Sequence, residues 1–444
     1  MAIAFCWTLS APLLAAQTHA SSRKRHAAKS VSKAAPRPPA AKAAAPSDAV
    51  EKQLARLARA LRDDGNAAGY AALSAFARRN AKNELGARAA LALGYYDLTG
   101  PRERPETALG WLRKAEGDTL LLEYVQYWQA QALLAAGQKE DALAAFLKFL
   151  RENPDSVMAE PAIASMVPVA LDLDKGEDAL AALAADPNTP SKPALLLLRA
   201  QAEEKIAAAK GEKPAVAAAD YLNLYYRFPL NDESKAAGQK IPSLEFALGE
   251  QFPGTPLQTQ IARAETLFVA RRWSDARTDY TNLLPKLSGH DHERAQLRVA
   301  VCDVELGGSL NALSTLSFSD PDVEAERLFD ISQYYRSEKV ELQMLDDIDQ
   351  LTRRFRGSSW ASDGLFATGN YYWVNMDRDR AADYYRRSLE AGANGGNSQA
   401  AAWRVAWTAY LDRKPEAADL IEDYVRRFPT SSYIQDALYW LGRS

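Results

Sequence analysis

With 444 residues, the chain is longer than one compact core accommodates but ordinary for an array that grows lengthwise. Its 47% hydrophobic content suffices for a continuous core, and abundant alanine with few β-branched runs favours helix. Charge is uneven: residues 21–47 hold seven Lys or Arg and no acid, which leaves 47 basic and 57 acidic residues from Asp48 onward. That net −10 argues against a nucleic-acid partner for the folded part.

In chain order, Ile3 to Ala16 is an apolar stretch of signal-peptide length, too short to span a bilayer. Thr18-His19-Ala20 puts small residues at both cleavage-site positions, although residues 1–20 carry no charged side chain and so lack a basic start. The expectation is a signal peptide over 1–20, export to the periplasm, and no transmembrane span in the mature chain. Cys6 falls inside that segment without a lipobox around it, so Cys302 is alone in the mature protein and no internal disulfide forms. Residues 21–47, rich in Ala, Lys, Arg, Pro and Ser, read as a disordered basic linker, with Pro36, Pro38, Pro39 and Pro46 against a long helix. Its positive charges suit anionic lipid or an acidic wall polymer, and a solvated linker is the simpler reading.

Order is expected from Asp48 through 444. Ser47 or Asp48 caps a helix carrying Leu54, Leu57, Ala58 and Leu61 on one face. Helical periodicity then predicts helices at 67–80, 84–98, 105–115, 118–136, 139–152, 157–172, 177–185, 193–210, 214–227 and 256–270. Further ones follow at 273–286, 291–306, 322–337, 340–355, 359–376, 379–391, 398–411, 415–427 and 431–444, with no hairpin strand pair.

One spacing recurs. Ala142, Phe146, Phe149, Leu150 and Pro154 are matched by Ala217, Tyr221, Leu224, Tyr225 and Pro229, and by Ala417, Ile421, Tyr424, Val425 and Pro429. Ala276, Tyr280, Leu283, Leu284 and Ala381, Tyr385, Leu389 repeat the front half. Plus four and plus seven share a helical face, and proline marks the exit. Small residues at fixed places let a neighbouring helix approach closely. Leu365, Gly369, Tyr372, Ala381 and Tyr385 match the small and large positions of a tetratricopeptide hairpin. So do Trp403, Ala406, Trp407 and Tyr410 with Ala417 and Tyr424. The fold expected is an all-α, tetratricopeptide-like right-handed superhelix (an α-solenoid) of about nine or ten hairpins, degenerate in its N-terminal half. Ile434, Ala437, Leu438 and Leu441 form an apolar stripe on the last helix with nothing after it to cover them. The expectation is therefore a domain that is C-terminally incomplete.

Ala402-Trp403-Arg404-Val405-Ala406-Trp407, Arg426-Arg427-Phe428-Pro429-Thr430-Ser431 and Ala437-Leu438-Tyr439-Trp440-Leu441-Gly442-Arg443 follow one another within residues 360–444. This succession resembles the superhelical N-terminal region of soluble lytic murein transglycosylases. The resemblance implies a non-catalytic scaffold for a separate lysozyme-like domain. That domain cleaves peptidoglycan between N-acetylmuramic acid and N-acetylglucosamine, with one glutamate as acid and then base. The family's glutamate sits in a Glu-Ser pair upstream of Gly-Leu-Met-Gln. Here Glu233-Ser234 is the only such pair, Lys235-Ala236-Ala237 follows it, and Gly-Leu-Met-Gln is absent. Glu233 reads as a helix start, and no catalytic residue carries over. The expected partners are peptidoglycan glycan strands, through the full-length protein, and periplasmic proteins. The alternative is a periplasmic adaptor that binds proteins and has no enzyme attached; acidic grooves suit basic peptides.

Other chemistry reads as structural. His290, His292 and Glu293 offer a His-x-His with no third ligand at a supporting spacing, so capping is expected rather than a metal. Asp346, Asp347 and Asp349 lie on one helix and do not face each other across a cleft, as a glycosidase requires. Cys302, among Val301, Val304 and Leu306, reads as a buried small hydrophobe. Tyr371, Tyr372, Trp373, Trp403, Trp407, Tyr410, Tyr439 and Trp440 are expected as core, with one or two available to stack on sugar. Gly392, Gly395 and Gly396 form a turn without a phosphate-binding context. No catalytic residue, metal site or cofactor is assigned.

Overall fold

The computed structural model describes residues 48–392 and 396–444. The expected signal peptide, the linker, Cys6 and Gly395 lie outside the described residues. The chain divides into two compact units, Met1–Gln53 and Leu54–Ser444. Of the first, the described part is helical. Among the described residues there are 22 α-helices and no strand. They begin with α1 (Asp48–Asp64), α2 (Ala67–Arg79), α3 (Glu84–Thr99), α4 (Pro105–Ala115), α5 (Leu122–Ala135), α6 (Lys139–Glu152), α7 (Ala159–Asp172) and α8 (Gly176–Ala185). Then come α9 (Pro193–Lys210), α10 (Ala215–Arg227), α11 (Asp232–Leu248), α12 (Leu257–Val269), α13 (Trp273–Leu283), α14 (Gly289–Glu305) and α15 (Asn311–Ser314). The rest are α16 (Pro321–Ser337), α17 (Glu341–Arg354), α18 (Ser359–Val374), α19 (Arg378–Ala391), α20 (Ser398–Leu411), α21 (Ala417–Arg427) and α22 (Ile434–Arg443).

From α2 onward each helix packs mainly on its sequence neighbours, and alternate helices such as α14, α16 and α18 also touch. This is an all-α, tetratricopeptide-like solenoid of hairpins, as the spacing predicted. The repeat positions are its core: Ala142, Ala217, Ala276 and Ala381, together with Phe146, Tyr221, Tyr385 and Ile421, are fully buried. Pro154, Pro229 and Pro429 each follow the helix end directly after the C-cap residue. The small-to-large pairing is literal in α18 and α19. A Cβ on Gly369 would lie 2.7 Å from Cδ1 and Cε1 of Tyr385. In the N-terminal half the same register is filled by Ala108, Leu112 and Ala115 and by Ala179 and Leu183, all fully buried. Leucine at plus four, and no proline, hid these copies.

Two places depart from expectation. The interval 228–255, where the sequence offers only a helix start at Glu233, contains α11, with Pro242 inside it. Pro242 is exposed and removes one intrahelical donor. After α11, α12 returns to α10. Arg263 fixes that joint: its Nε donates to Tyr225 O at 3.1 Å and its guanidinium lies 3.8 Å from the Tyr225 ring centroid. Second, between α14 and α16, where no helix was expected, stands the four-residue α15. Beside it, Arg327 Nε and Nη2 donate to buried Glu324 at 2.9 and 2.7 Å. Glu324 also accepts from Phe318 N at 3.2 Å.

The turns inside the hairpins share one device. After α5, α7, α9, α12, α14, α16, α18 and α20 a residue takes positive φ: Gly137, Asp174, Gly211, Arg271, Gly307, Lys339, Met376 and Arg413. Each turn carries the same bond pair, such as Val340 N to Tyr335 O at 2.9 Å with Lys339 N to Arg336 O at 3.2 Å. This is the two-bond closure of a helix by a left-handed residue, where side chains are strained. Lys339→Gly and Arg413→Gly are therefore expected to stabilise by about 0.5–1 kcal/mol each, additively. Urea unfolding of both single variants and the pair checks this; destabilisation would contradict it.

Candidate functional site

The distinctive chemistry lies on the first helices of the hairpins. Where the plus-four residue of a second helix is tyrosine, its hydroxyl reaches a polar side chain on the first. Tyr221 donates to Glu204 at 2.8 Å, Tyr280 to Glu265 at 2.5 Å, and Tyr385 to Asn370 at 2.8 Å. A buried phenol needs such a partner. The next first helix then supplies a base: Lys240 Nζ lies 2.9 Å from Glu204, and Arg298 Nη2 lies 3.3 Å from Glu265.

At α12, α14 and α16 this ladder goes underground. The Arg298 side chain is 5% exposed, and its Nη1 reaches Glu326 Oε1 at 2.5 Å. Its guanidinium also lies 4.2 Å from the Phe268 ring centroid. Arg294, one turn earlier on α14 and 38% exposed, lies 3.8 Å from Glu326 and 3.9 Å from Glu265. Burial opposes ionisation of Glu265, but Arg298, the Tyr280 hydroxyl and Arg294 outweigh it, so its carboxyl sits below the ordinary value. Burial wins at Glu326, whose carboxyl is pushed up despite both arginines. Three atoms of the cluster are buried without a hydrogen-bond partner: Glu326 Oε2, Asp330 Oδ2 and Arg294 Nε.

Burial, then the nearby Glu326 and Glu305, push the Asp330 carboxyl up to about 8, with Arg298 opposing. Burial and Asp220 likewise raise Glu203 to about 7, and burial and Asp346 raise Asp347 to about 6. A carboxyl raised in the folded state stays protonated while the unfolded chain has lost the proton. Its contribution is present below the ordinary value of 3.8 and is lost as pH rises through about 8. Asp330→Asn is thus expected to gain stability relative to the parent between pH 4 and pH 9. Denaturant melts across that range test this, and a pH-independent difference would contradict it.

The residues singled out in the sequence lie elsewhere. Glu233 sits in the first turn of α11, where its neighbour Ser234 donates to Tyr225 O at 3.1 Å. His290 Nδ1 lies 2.9 Å from Asp320 Oδ2, and Glu293 accepts from Asp320 N at 2.8 Å. Asp320 in turn caps α16, so these side chains tie two helix starts together. Among the described residues, no group of three or more His, Cys, Asp or Glu is placed to hold a metal. Cys302 is fully buried and burial pushes its thiol up to about 12. Asp346 and Asp349 border a groove of about 290 Å³ between α17 and α19, with Leu342 and Tyr384. Trp403 stacks on Trp407 at 5.8 Å and on Tyr433 at 6.0 Å. Trp407 stacks on Tyr410 at 5.5 Å, while Tyr439 is 57% exposed. A Cβ on Gly392 would lie 2.8 Å from Ser362, which makes that turn a packing position.

Among the described residues no helix is long and apolar enough to cross a membrane. No family model matches the chain, and no curated protein does. Among solved structures it is similar to a tetratricopeptide repeat protein from Parabacteroides merdae, at 10% identity over 72% of this chain and 98% of that one, TM-score 0.29. It is similar to the tetratricopeptide domain of P58(IPK), at 18% identity over 69% and 84%, TM-score 0.23. It is also similar to yeast Tom70, at 11% identity over 88% and 96%, TM-score 0.36. With scores this low, the tetratricopeptide-like assignment rests on the hairpins themselves.

Proposed function

We propose that this chain is a binding and positioning scaffold whose working surface is the first-helix layer. The observation that carries this reading is the Glu265–Arg298–Glu326 cluster, where buried charge is concentrated and polar atoms are left over. Replacing such a cluster by apolar residues is often neutral or stabilising, so its presence calls for a role other than stability.

More specifically, we propose the non-catalytic scaffold of an exported soluble lytic transglycosylase acting on peptidoglycan. Cleavage of the MurNAc–GlcNAc bond would belong to a domain outside these 444 residues. Support comes from the succession of motifs in residues 360–444, which falls on α18 to α22. The second reading, a periplasmic adaptor for proteins, draws on the acidic body, which suits basic peptides. The full chain, incubated with insoluble peptidoglycan beside an unrelated helical solenoid of similar charge, tests the first. Retention above that control supports it; none, with a basic peptide still bound, favours the adaptor. Export is tested by N-terminal sequencing of periplasmic protein, with Ser21 expected first.

A further inference from the structure

One rung of the ladder repeats the buried cluster without its acid. Glu265 and Asn370 stand at the same distance before the left-handed residues of their hairpins, Arg271 and Met376, and Phe268 and Trp373 match likewise. On the following first helices, Arg298 and Arg404 stand at the same distance before Gly307 and Arg413. The contacts match too. The Tyr280 hydroxyl donates to Glu265 at 2.5 Å and the Tyr385 hydroxyl to Asn370 at 2.8 Å. The Arg298 guanidinium lies 4.2 Å from the Phe268 ring centroid, and that of Arg404 lies 5.3 Å from the Trp373 ring centroid. Burial pushes the Tyr385 phenol up to about 12 and Arg404 opposes it, as Arg298 does at Tyr280.

The difference is the charge. Arg298 is met by Glu265 and Glu326. At the matching rung the acid is replaced by the amide of Asn370, and among the described residues no ion pair or hydrogen bond engages the Arg404 guanidinium. Arg378 and Arg380, which open α19, are by contrast paired with Asp412 and with Asp377 and Glu341. Because Asn370 Oδ1 accepts from Tyr385, its Nδ2 is a second donor without a partner among the described residues. The rung is also reachable: the Arg298 side chain is 5% exposed, whereas Arg404, Asn370 and Trp373 are each part-exposed. A cation and an amide donor beside an indole suit an anion, and a guanidinium suits a planar carboxylate.

We propose that Arg404, Asn370 and Trp373 form a binding site on α18 and α20 for a carboxylate-bearing sugar of a glycan strand. This rests on the peptidoglycan scaffold reading and extends its first-helix surface beyond the Glu265–Arg298–Glu326 cluster. The carboxylate takes the place that Glu265 holds beside Arg298, accepting from the Arg404 guanidinium and from Asn370 Nδ2. The carrier is a sugar because the cation's neighbour is an indole, whose flat apolar face packs against the C–H face of a pyranose ring.

The test uses the full chain and three probes. N-acetylglucosaminyl-N-acetylmuramic acid carries a lactyl carboxylate, chitobiose lacks it, and a blocked peptide of alternating alanine and glutamate carries carboxylates without a sugar. Calorimetric titration is expected to show the first bound at least about tenfold more tightly than either of the others. Arg404→Gln is expected to lose about tenfold in affinity for it. Asn370→Glu, which supplies the carboxylate from within as Glu265 does, is expected to abolish the preference over chitobiose. Thermal unfolding of both variants confirms that they are folded. If Arg404→Gln or Asn370→Glu binds as the parent does, or chitobiose binds equally well, the proposal fails while the scaffold reading stands. If the glutamate peptide binds equally well, the rung reads polypeptide carboxylates and the sugar proposal is overturned. If no probe binds, the proposal fails, and the peptidoglycan retention experiment separately decides the scaffold.

Discussion

Arg298→Met is expected to cost about 3–5 kcal/mol of stability. Methionine fills much of the arginine's volume and keeps contact with Phe268, so the loss is not one of packing. It leaves buried Glu326 facing Glu265, itself 35% exposed, with only Arg294, at 3.8–3.9 Å and part-exposed, to offset them. The sign with pH follows. Without Arg298 both carboxyls are raised, so the variant loses stability as pH increases and the deficit is smaller at pH 4.5 than at pH 8. Arg298→Met combined with Glu326→Leu is expected to recover much of the loss, because removing the stranded charge costs less than keeping it. Denaturant unfolding of the three proteins at both pH values decides the matter. A loss below about 1 kcal/mol, or one independent of pH, would mean that the cluster is solvated.

Tyr385→Ala is expected to cost about 3–5 kcal/mol. The ring is fully buried against Gly369, lies 5.5 Å from Phe366, and its hydroxyl donates to Asn370 at 2.8 Å. Truncation opens a cavity between α18 and α19 and strands the Asn370 carbonyl. The reciprocal change, Gly369→Ala, pushes a methyl into the same ring and is expected to cost about 1–3 kcal/mol. The two should couple: in the Tyr385→Ala background the added methyl fills space, and Gly369→Ala becomes nearly neutral or favourable. Additive losses would show that the two residues do not touch. Because each hairpin leans on its neighbours, the damage should appear first as faster amide exchange in α18 to α20.

The hairpin core was legible because it is written in a few large side chains at fixed spacing. Ala276 with Tyr280 and Ala381 with Tyr385 named the buried pairs directly. Met344, Ile348 and Leu351 fill the same register in α17, but methionine in place of alanine concealed it. Helix α11 was read only as a start at Glu233 and not followed further, because Pro242 lies inside it and only four of its residues are buried. The left-handed turns fall on a residue suited to them at Gly137, Gly211 and Gly307, but on Arg271, Lys339 and Met376 elsewhere, residue types that carry no signal for positive φ. The charge cluster was missed for a different reason. Glu265, Arg298 and Glu326 lie far apart in sequence, and single charges on a helix read as solvent-facing. A signal was present: tyrosine at plus four in three copies, where Phe146 and Ile421 stand in others, announces a hydroxyl that must find a partner inside.

The account's central claim is that recognition runs along the first helices α12, α14 and α16, which carry Glu265, Arg298 and Glu326. Amide hydrogen exchange of the full chain, with and without a basic peptide and soluble glycan fragments, tests it most directly. Added protection centred on those three helices with at least one probe is the predicted result. Protection confined to second helices such as α17 and α19, or none with either probe, would contradict it.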